Sequence, residues 1–260
     1  MPSSYPIIEY DYSSKAVFQP DQHDLGIHFP PCVAFPFVGD VVERYAAERG
    51  LPVIATYETV TKDYPVYRLS DTACLCQAPI GAPVAVQLMD WLIAYGAERV
   101  ISVASCGTLI DLPENALVVP RRALRDEGTS YHYMPPSRWG YPDDGVQQMI
   151  RDVFAADGIA YTDADAWTTD AIYRETIDKV RRARSEGCGV VDMQCAALAS
   201  CAEFRRVQFG QFLYVTDSLA DTEAYDRRNW GKEALQPMLD LCVKLAGQEY
   251  KSPWGCSCKS

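Results

Sequence analysis

Hydrophobic and polar positions stay irregular over residues 1–30, where Pro, Asp and Ser recur without a period, so this stretch reads as an extended arm. From Val33 the pattern becomes regular. The apolar run Val33–Val38 ends at Gly39-Asp40, and a helical stretch, Val41–Arg49, follows until Gly50 stops it. Two β-like runs cover Val53–Val60 and Val66–Gln77, the second broken near Ser70-Asp71. Pro83–Tyr95 is the clearest helix, with Val84, Leu88, Trp91, Leu92 and Tyr95 on one face and Gly96 to end it. Arg99–Ala104 predicts a buried strand that leads into a turn at Ser105-Cys106-Gly107, and Ala116–Val119 predicts another strand. Val146–Ala155 and Tyr173–Arg184 predict helices, and Gly189–Asp192 a short strand running into helix Gln194–Phe204. Gln208–Thr216 predicts a long strand and Glu233–Ala246 the last helix.

Strands alternating with helices predict the α/β class, as a three-layer α/β/α sandwich around a central mixed sheet that can curl toward a barrel. There is no repeat, low-complexity block or long linker, so 1–260 reads as one domain with an arm (1–30) and a polar tail (248–260).

Composition narrows the partners. With 48% hydrophobic residues the chain can bury a sizeable core. Its net charge of −11 repels a nucleic-acid backbone or an anionic membrane, but leaves open a small anionic ligand, which answers to the local field. No stretch approaches the roughly 18 apolar residues of a membrane span. The first residues lack a basic start and an apolar h-region, so a cytoplasmic location is expected. Eight of the ten cysteines (Cys32, Cys74, Cys76, Cys106, Cys188, Cys195, Cys201, Cys242) sit in apolar segments, where a reduced thiol behaves as a small hydrophobe. Cys256 and Cys258 lie in the polar tail, and two thiols alone cannot close a tetrahedral zinc site. No metal or cofactor is expected.

Four segments carry candidate chemistry. Val100–Gly107 joins an apolar strand to small residues, so that backbone N–H groups and the Ser105 hydroxyl can approach an anion or a sugar. Ala123–Ser137 holds a polar cluster of Arg125, Asp126 and His132. Trp167–Thr176 reads as the N-terminus of an amphipathic helix, and Val191–Leu198 as a helix start packed into the sheet. Asp217 then closes a long apolar strand, at the C-terminal end where sites form in such sheets.

In this order the segments resemble the nucleoside phosphorylase family, which includes purine nucleoside phosphorylases, uridine phosphorylases and related nucleosidases, over roughly Val33 to Ala246. The resemblance implies cleavage of the bond between ribose and nucleobase. It implies substrate-binding roles for Ser105, Cys106, Gly107, Asp192 and Met193, with Ile172 in the place of a ring that faces the base. Gln194 stands where the family has a glutamate that accepts from the ribose hydroxyls. Asp217 matches the residue that protonates N7 of a leaving purine, and Asp226, Arg227 and Arg228 are near enough in sequence to position or polarise it. Thr176 and Asp178 stand where uridine phosphorylases read uracil with a glutamine and an arginine, which turns the expectation toward purines. The resemblance also implies a homo-oligomer, at least a dimer, in which His23, or less closely His28, holds the 5′-hydroxyl of a neighbouring subunit's ligand.

The phosphate site departs from the family pattern. Its arginines are replaced by Glu43 and Ser102, and Arg44, one residue on, points about 100° off that helix face. Arg125, Arg174 and Arg227 are candidates to rebuild it, with Arg68 a further one. Phosphorolysis with phosphate as co-substrate, hydrolysis by water, and a catalytically weak nucleoside-binding protein all stay open. Outside the family, a Cys106 nucleophile is the remaining reading, although no His–carboxylate partner announces itself.

Overall fold

The computed structural model describes residues 5–13 and 15–249. Cys256 and Cys258, with nearly all of the polar tail, lie outside the described residues. Ahead of the first strand the described arm holds only a 3₁₀ turn, Pro6–Ile8.

Ten strands form one sheet: β1 (Cys32–Pro36), β2 (Val53–Tyr57), β3 (Tyr64–Arg68), β4 (Ala73–Cys76), β5 (Arg99–Thr108), β6 (Leu117–Asp126), β7 (Trp139–Gly140), β8 (Tyr161–Thr169), β9 (Cys188–Asp192) and β10 (Gln208–Ser218). Helices α1 (Val41–Arg49), α2 (Ala82–Ala94), α3 (Ser130–Tyr133), α4 (Asp144–Ala156), α5 (Ile177–Ser185), α6 (Cys195–Arg205) and α7 (Leu235–Ala246) cover it. β5 is the axis of the sheet. It pairs in parallel with β1 on one edge and with β10 on the other, and β9 takes over the first edge beyond Val103. The pairings β9–β8, β8–β6 and β6–β10 then return to β5, so five strands close into a ring. The expected curl of a mixed sheet is thus a full closure. β1, β4, β3 and β2 continue from β5 as an open wing.

Helices on both sides give the α/β/α layering. α2 and α6 pack on one face with Val33, Val100 and Phe209, and α1, α4 and α7 on the other with Ile101, Val103 and Phe212. Strand β5 alternates between these two cores, which is why it is apolar at nearly every position. α1 ends where expected, because Gly50 adopts a left-handed φ of 59°.

Three expectations need correction. Ser105, Cys106 and Gly107 are the last turnless part of β5, held extended by pairing with Tyr214, Val215 and Asp217 of β10. β6 runs on through Asp126 instead of stopping at Val119. Strand β8 takes in Trp167–Thr169, which the sequence reads as a helix start; the helix, α5, begins only at Ile177. The strand's Asp163 and Asp165 disfavour a strand on propensity, but Asp165 is buried against Arg121 (3.0 Å) and Arg122 (2.9 Å), which neutralise it.

Candidate active site

A cavity of about 360 Å³ opens where the strand ends meet. Its walls come from Phe37–Asp40 after β1, Ala104–Gly107 of β5, Ile172 and Glu175 between β8 and α5, Val191–Gln194 at the β9–α6 junction, and Thr216-Asp217 of β10. Segments as far apart in the chain as Phe37 and Asp217 therefore share one cleft, and local devices fix two of them.

At the β9–α6 junction the device is a cap. Asp192 Oδ2 accepts from the backbone N–H groups of Gln194 (3.0 Å) and Cys195 (2.7 Å), while Oδ1 accepts from the Thr168 hydroxyl at 2.6 Å. Thr168 Oγ1 in turn accepts from Ala196 N at 3.1 Å. These acceptors satisfy the first N–H groups of α6, an arrangement worth about 0.5–2 kcal/mol. Asp192 lines the cleft, but its carboxylate is engaged in holding the helix start. Met193 and Gln194 are thereby presented to the cleft. Gln194 is 4% exposed and its side-chain amide has no protein partner among the described residues.

At β10 the device is a missing side chain. A Cβ on Gly107 would come within 2.7 Å of Leu219 Cδ1 and 3.3 Å of Asp217 Oδ2, so glycine lets the Asp217 carboxyl lie against β5. Asp217 Oδ1 accepts from Thr216 Oγ1 at 3.0 Å, and Oδ2 accepts from the Tyr225 hydroxyl at 3.1 Å. Tyr225 is delivered by the loop after β10, which closes on itself through backbone bonds between Ser218 and Asp226 (2.8 and 3.1 Å). Burial raises the pKa of Asp217, opposed by the two hydroxyl bonds and by Arg228.

Glu175 lies across the same cleft and was not singled out from sequence. Burial pushes its carboxyl up to about 7, with the neighbouring Asp217 charge adding to the rise and Lys179 opposing it. In the sequence Thr176 and Asp178 stand where a uracil-binding pair would, and Glu175 beside them matches no motif. Its position before the N-cap of α5, Thr176, is the signal that was available.

Ser105, Cys106, Gly107, Ile172, Asp192, Met193, Gln194 and Asp217 all line the cleft. The arginines do not. Arg125 is buried in its own loop, donating to Ser130 Oγ (2.8 Å), Pro135 O (2.8 Å), Ser137 Oγ (2.6 Å) and Met134 O (3.2 Å), so it clasps residues 130–137 instead of meeting an anion in the cleft. Arg174 and Arg227 are exposed and outside the cleft walls. Glu43 pairs with Lys62 at 2.9 Å, and Ser102 is fully buried in β5. His23 and His132 line a different cavity, between the arm and α2, and His28 packs over Gly96. Cys106 is buried, and burial together with Asp192 and Asp217 drives its thiol pKa far up, which removes the nucleophile reading. All eight cysteines of the described residues are free and buried.

Residues 31–244 match the family model described as the phosphorylase superfamily, and the chain belongs to that superfamily. Among curated relatives, an uncharacterised protein of Acanthamoeba polyphaga mimivirus is 25% identical over 155 residues, a match covering 59% of this chain and 58% of that protein. The chain thus spans less than two thirds of that relative. A DeoD-type purine nucleoside phosphorylase of Bacillus cereus is 21% identical over 77% of this chain and 89% of its own length. Among solved structures, the AMP nucleosidase of Bacteroides thetaiotaomicron aligns with a TM-score of 0.69 at 21% identity, over 84% of this chain and 87% of that one, a likeness of fold. No helix among the described residues is long and apolar enough to cross a membrane.

Proposed function

We propose that this protein cleaves the N-glycosidic bond of a purine nucleoside, with water as the nucleophile and Asp217 as the acid that protonates the leaving base. The observation that carries the reading is the charge of the cleft. Its walls hold Asp40, Glu175, Asp192 and Asp217 and, among the described residues, no Arg or Lys. A phosphate dianion needs cationic donors, which this cleft lacks, whereas water does not. Family resemblance alone favours phosphorolysis. The carboxylates turn the reading to hydrolysis.

In the reaction the C1′–N9 bond breaks with its electron pair moving to the base, and Asp217 delivers a proton to N7. The water oxygen bonds to C1′ and its proton passes to a carboxylate. Asp40, exposed and without a side-chain cap bond, is the wall residue free to take it. A general acid of this kind contributes about 10²–10⁴-fold. Met193 and Gln194 carry the ribose end, and Gln194 favours slow turnover, because an amide does not stabilise the cationic sugar as a glutamate would. His23 serves a neighbouring subunit's ligand only if copies associate through the arm, so the homo-oligomer belongs to this proposal.

Adenosine, inosine and uridine, each incubated with and without phosphate, test it. Free ribose from the purine nucleosides at a rate indifferent to phosphate is the expected result. Ribose 1-phosphate appearing only with phosphate would replace water by phosphate in the scheme, and cleavage of uridine alone would overturn the purine assignment.

A further inference from the structure

The cleft does not end at Asp217. A second cavity of about 400 Å³ adjoins it, and the two share Ile172, Glu175, Asp217 and Trp230 as walls. Beyond that boundary the aliphatic walls are Ile177 and Val180 of α5 and Leu219 after β10, and Asp221, Thr222 and Tyr225 also line this part; none of these lines the first cleft. Conversely Ser105, Met193 and Gln194 line the first cavity and not the second. The order along the combined cavity is therefore sugar end, carboxyl pair, apolar chamber.

Resting on the reading of Asp217 as the acid to N7, we propose that the chamber receives an apolar substituent on the purine, and that the preferred substrates are purine nucleosides alkylated on the exocyclic amino group at C6. The chemistry of the base sets the direction. N7 and the C6 substituent lie on the same edge of a purine, so a base that presents N7 to Asp217 turns its C6 group toward the residues beside Asp217. Glu175 stands there, able to accept the one N–H that a monoalkylated amine retains. The alkyl group then faces Ile177, Val180 and Leu219. An unsubstituted adenosine leaves this chamber to solvent. A cavity of this size and lining is in the range that drug-sized groups fill, roughly 300–1,000 Å³.

Adenosine and N⁶-benzyladenosine, assayed for kcat/KM and for equilibrium binding by calorimetry, test the proposal in the wild-type chain and in Ile177→Trp. Ile177 is 40% exposed in the first turn of α5, so the larger ring can be accommodated without opening the core, and a melting curve checks that the variant is folded. The expected result is a preference for the benzyl compound of ~10-fold or more, the lower end of what apolar pockets achieve for added carbon. Ile177→Trp should remove that preference and leave adenosine within about 2-fold of its wild-type value, since the residue lies outside the nucleoside cleft. Equal handling of both nucleosides by the wild-type chain, or an equal loss of both in the variant, would overturn the chamber and leave N-glycosidic cleavage standing. Absence of both cleavage and binding for every purine nucleoside would overturn the two readings together.

Discussion

Asp90 and Asp217 are almost equally hidden, at 6% and 8% exposure, yet they sit in opposite surroundings. Asp90 on α2 receives a two-point grip from Arg205, Nε at 2.6 Å and an η nitrogen at 2.9 Å, and a third bond from the Tyr133 hydroxyl at 3.0 Å. Asp217 receives two hydroxyls and no cation at bonding distance. A buried carboxylate with a full guanidinium partner is a joint between elements, here α2, α3 and α6. One held only by neutral donors is left with a raised pKa. The same division runs through the arginines. Arg121 and Arg122 hold Asp165, Arg125 clasps its loop, and Arg184 donates to the carbonyls of Leu109, Leu219 and Ala220, which steadies the chain just past Asp217. Positive charge in this molecule is used to brace the walls, and the cleft is left acidic.

The sharpest way to break the contrast is to neutralise each member. Asp217→Asn keeps the shape and removes the proton, so purine cleavage should fall by ~10²-fold or more while the melting temperature holds or rises. Unchanged turnover would sink the role of Asp217. Arg205→Ala, by contrast, strands Asp90 without its cation in a protein interior. Because Arg205 is itself a quarter exposed, the loss belongs near or below the low end for broken buried pairs, about 2–3 kcal/mol of stability by denaturant titration, with kcat little changed. A stable Arg205→Ala variant with lost activity would mean that the brace reaches the site.

Gln194→Glu is the next smaller effect. The wild-type amide lines the cleft without a protein partner, so a carboxylate there can meet the developing positive charge of the sugar. We expect kcat to rise by about 10-fold, equivalent to ~1.4 kcal/mol in the transition state, with a smaller change in KM. The added charge lies close to Asp192, which is 4% exposed, so some loss of melting temperature should accompany the gain. A lower melting temperature with no gain in kcat would show that the side chain does not meet the sugar.

The parts of this architecture that were legible in the sequence are those where one local rule dominates. Helix α1 and its stop at Gly50, the apolar β5, and the convergence of Ser105–Gly107, Asp192–Gln194 and Asp217 all follow from periodicity, a turn residue or a motif in sequence order. What was not legible depends on partners distant in the chain. β8 carries a buried aspartate, Asp165, that Arg121 and Arg122, more than forty residues earlier, make tolerable in a strand. Arg125 looked available because nothing local shows that Met134, Pro135 and Ser137 fold back onto it. Glu175 acquires its meaning only when β10 brings Asp217 across from it.

That last pair provides the finest test. The two carboxyls share a cleft, and each resists ionisation more when the other is charged. Glu175 has a folded pKa of about 7, above its ordinary value, so it contributes stability only while protonated. Below its unfolded pKa that contribution is complete. It is lost as pH rises toward about 7, because the unfolded chain ionises first and the fold must then bury the charge. Glu175→Gln removes the penalty, so the variant should melt above the wild-type chain at pH 8 and level with it at pH 4. For catalysis the substitution should change little. Asp217 ionises while Glu175 is still protonated and neutral, so the alkaline limb of the purine-cleavage profile should stay in place. Melting curves at the two pH values and a rate profile between pH 5 and 9 measure both halves on one protein. A limb moved to lower pH would show that Glu175 is already charged when Asp217 loses its proton, and a melting gain that is the same at pH 4 and pH 8 would show that Glu175 does not titrate above its ordinary range in the fold.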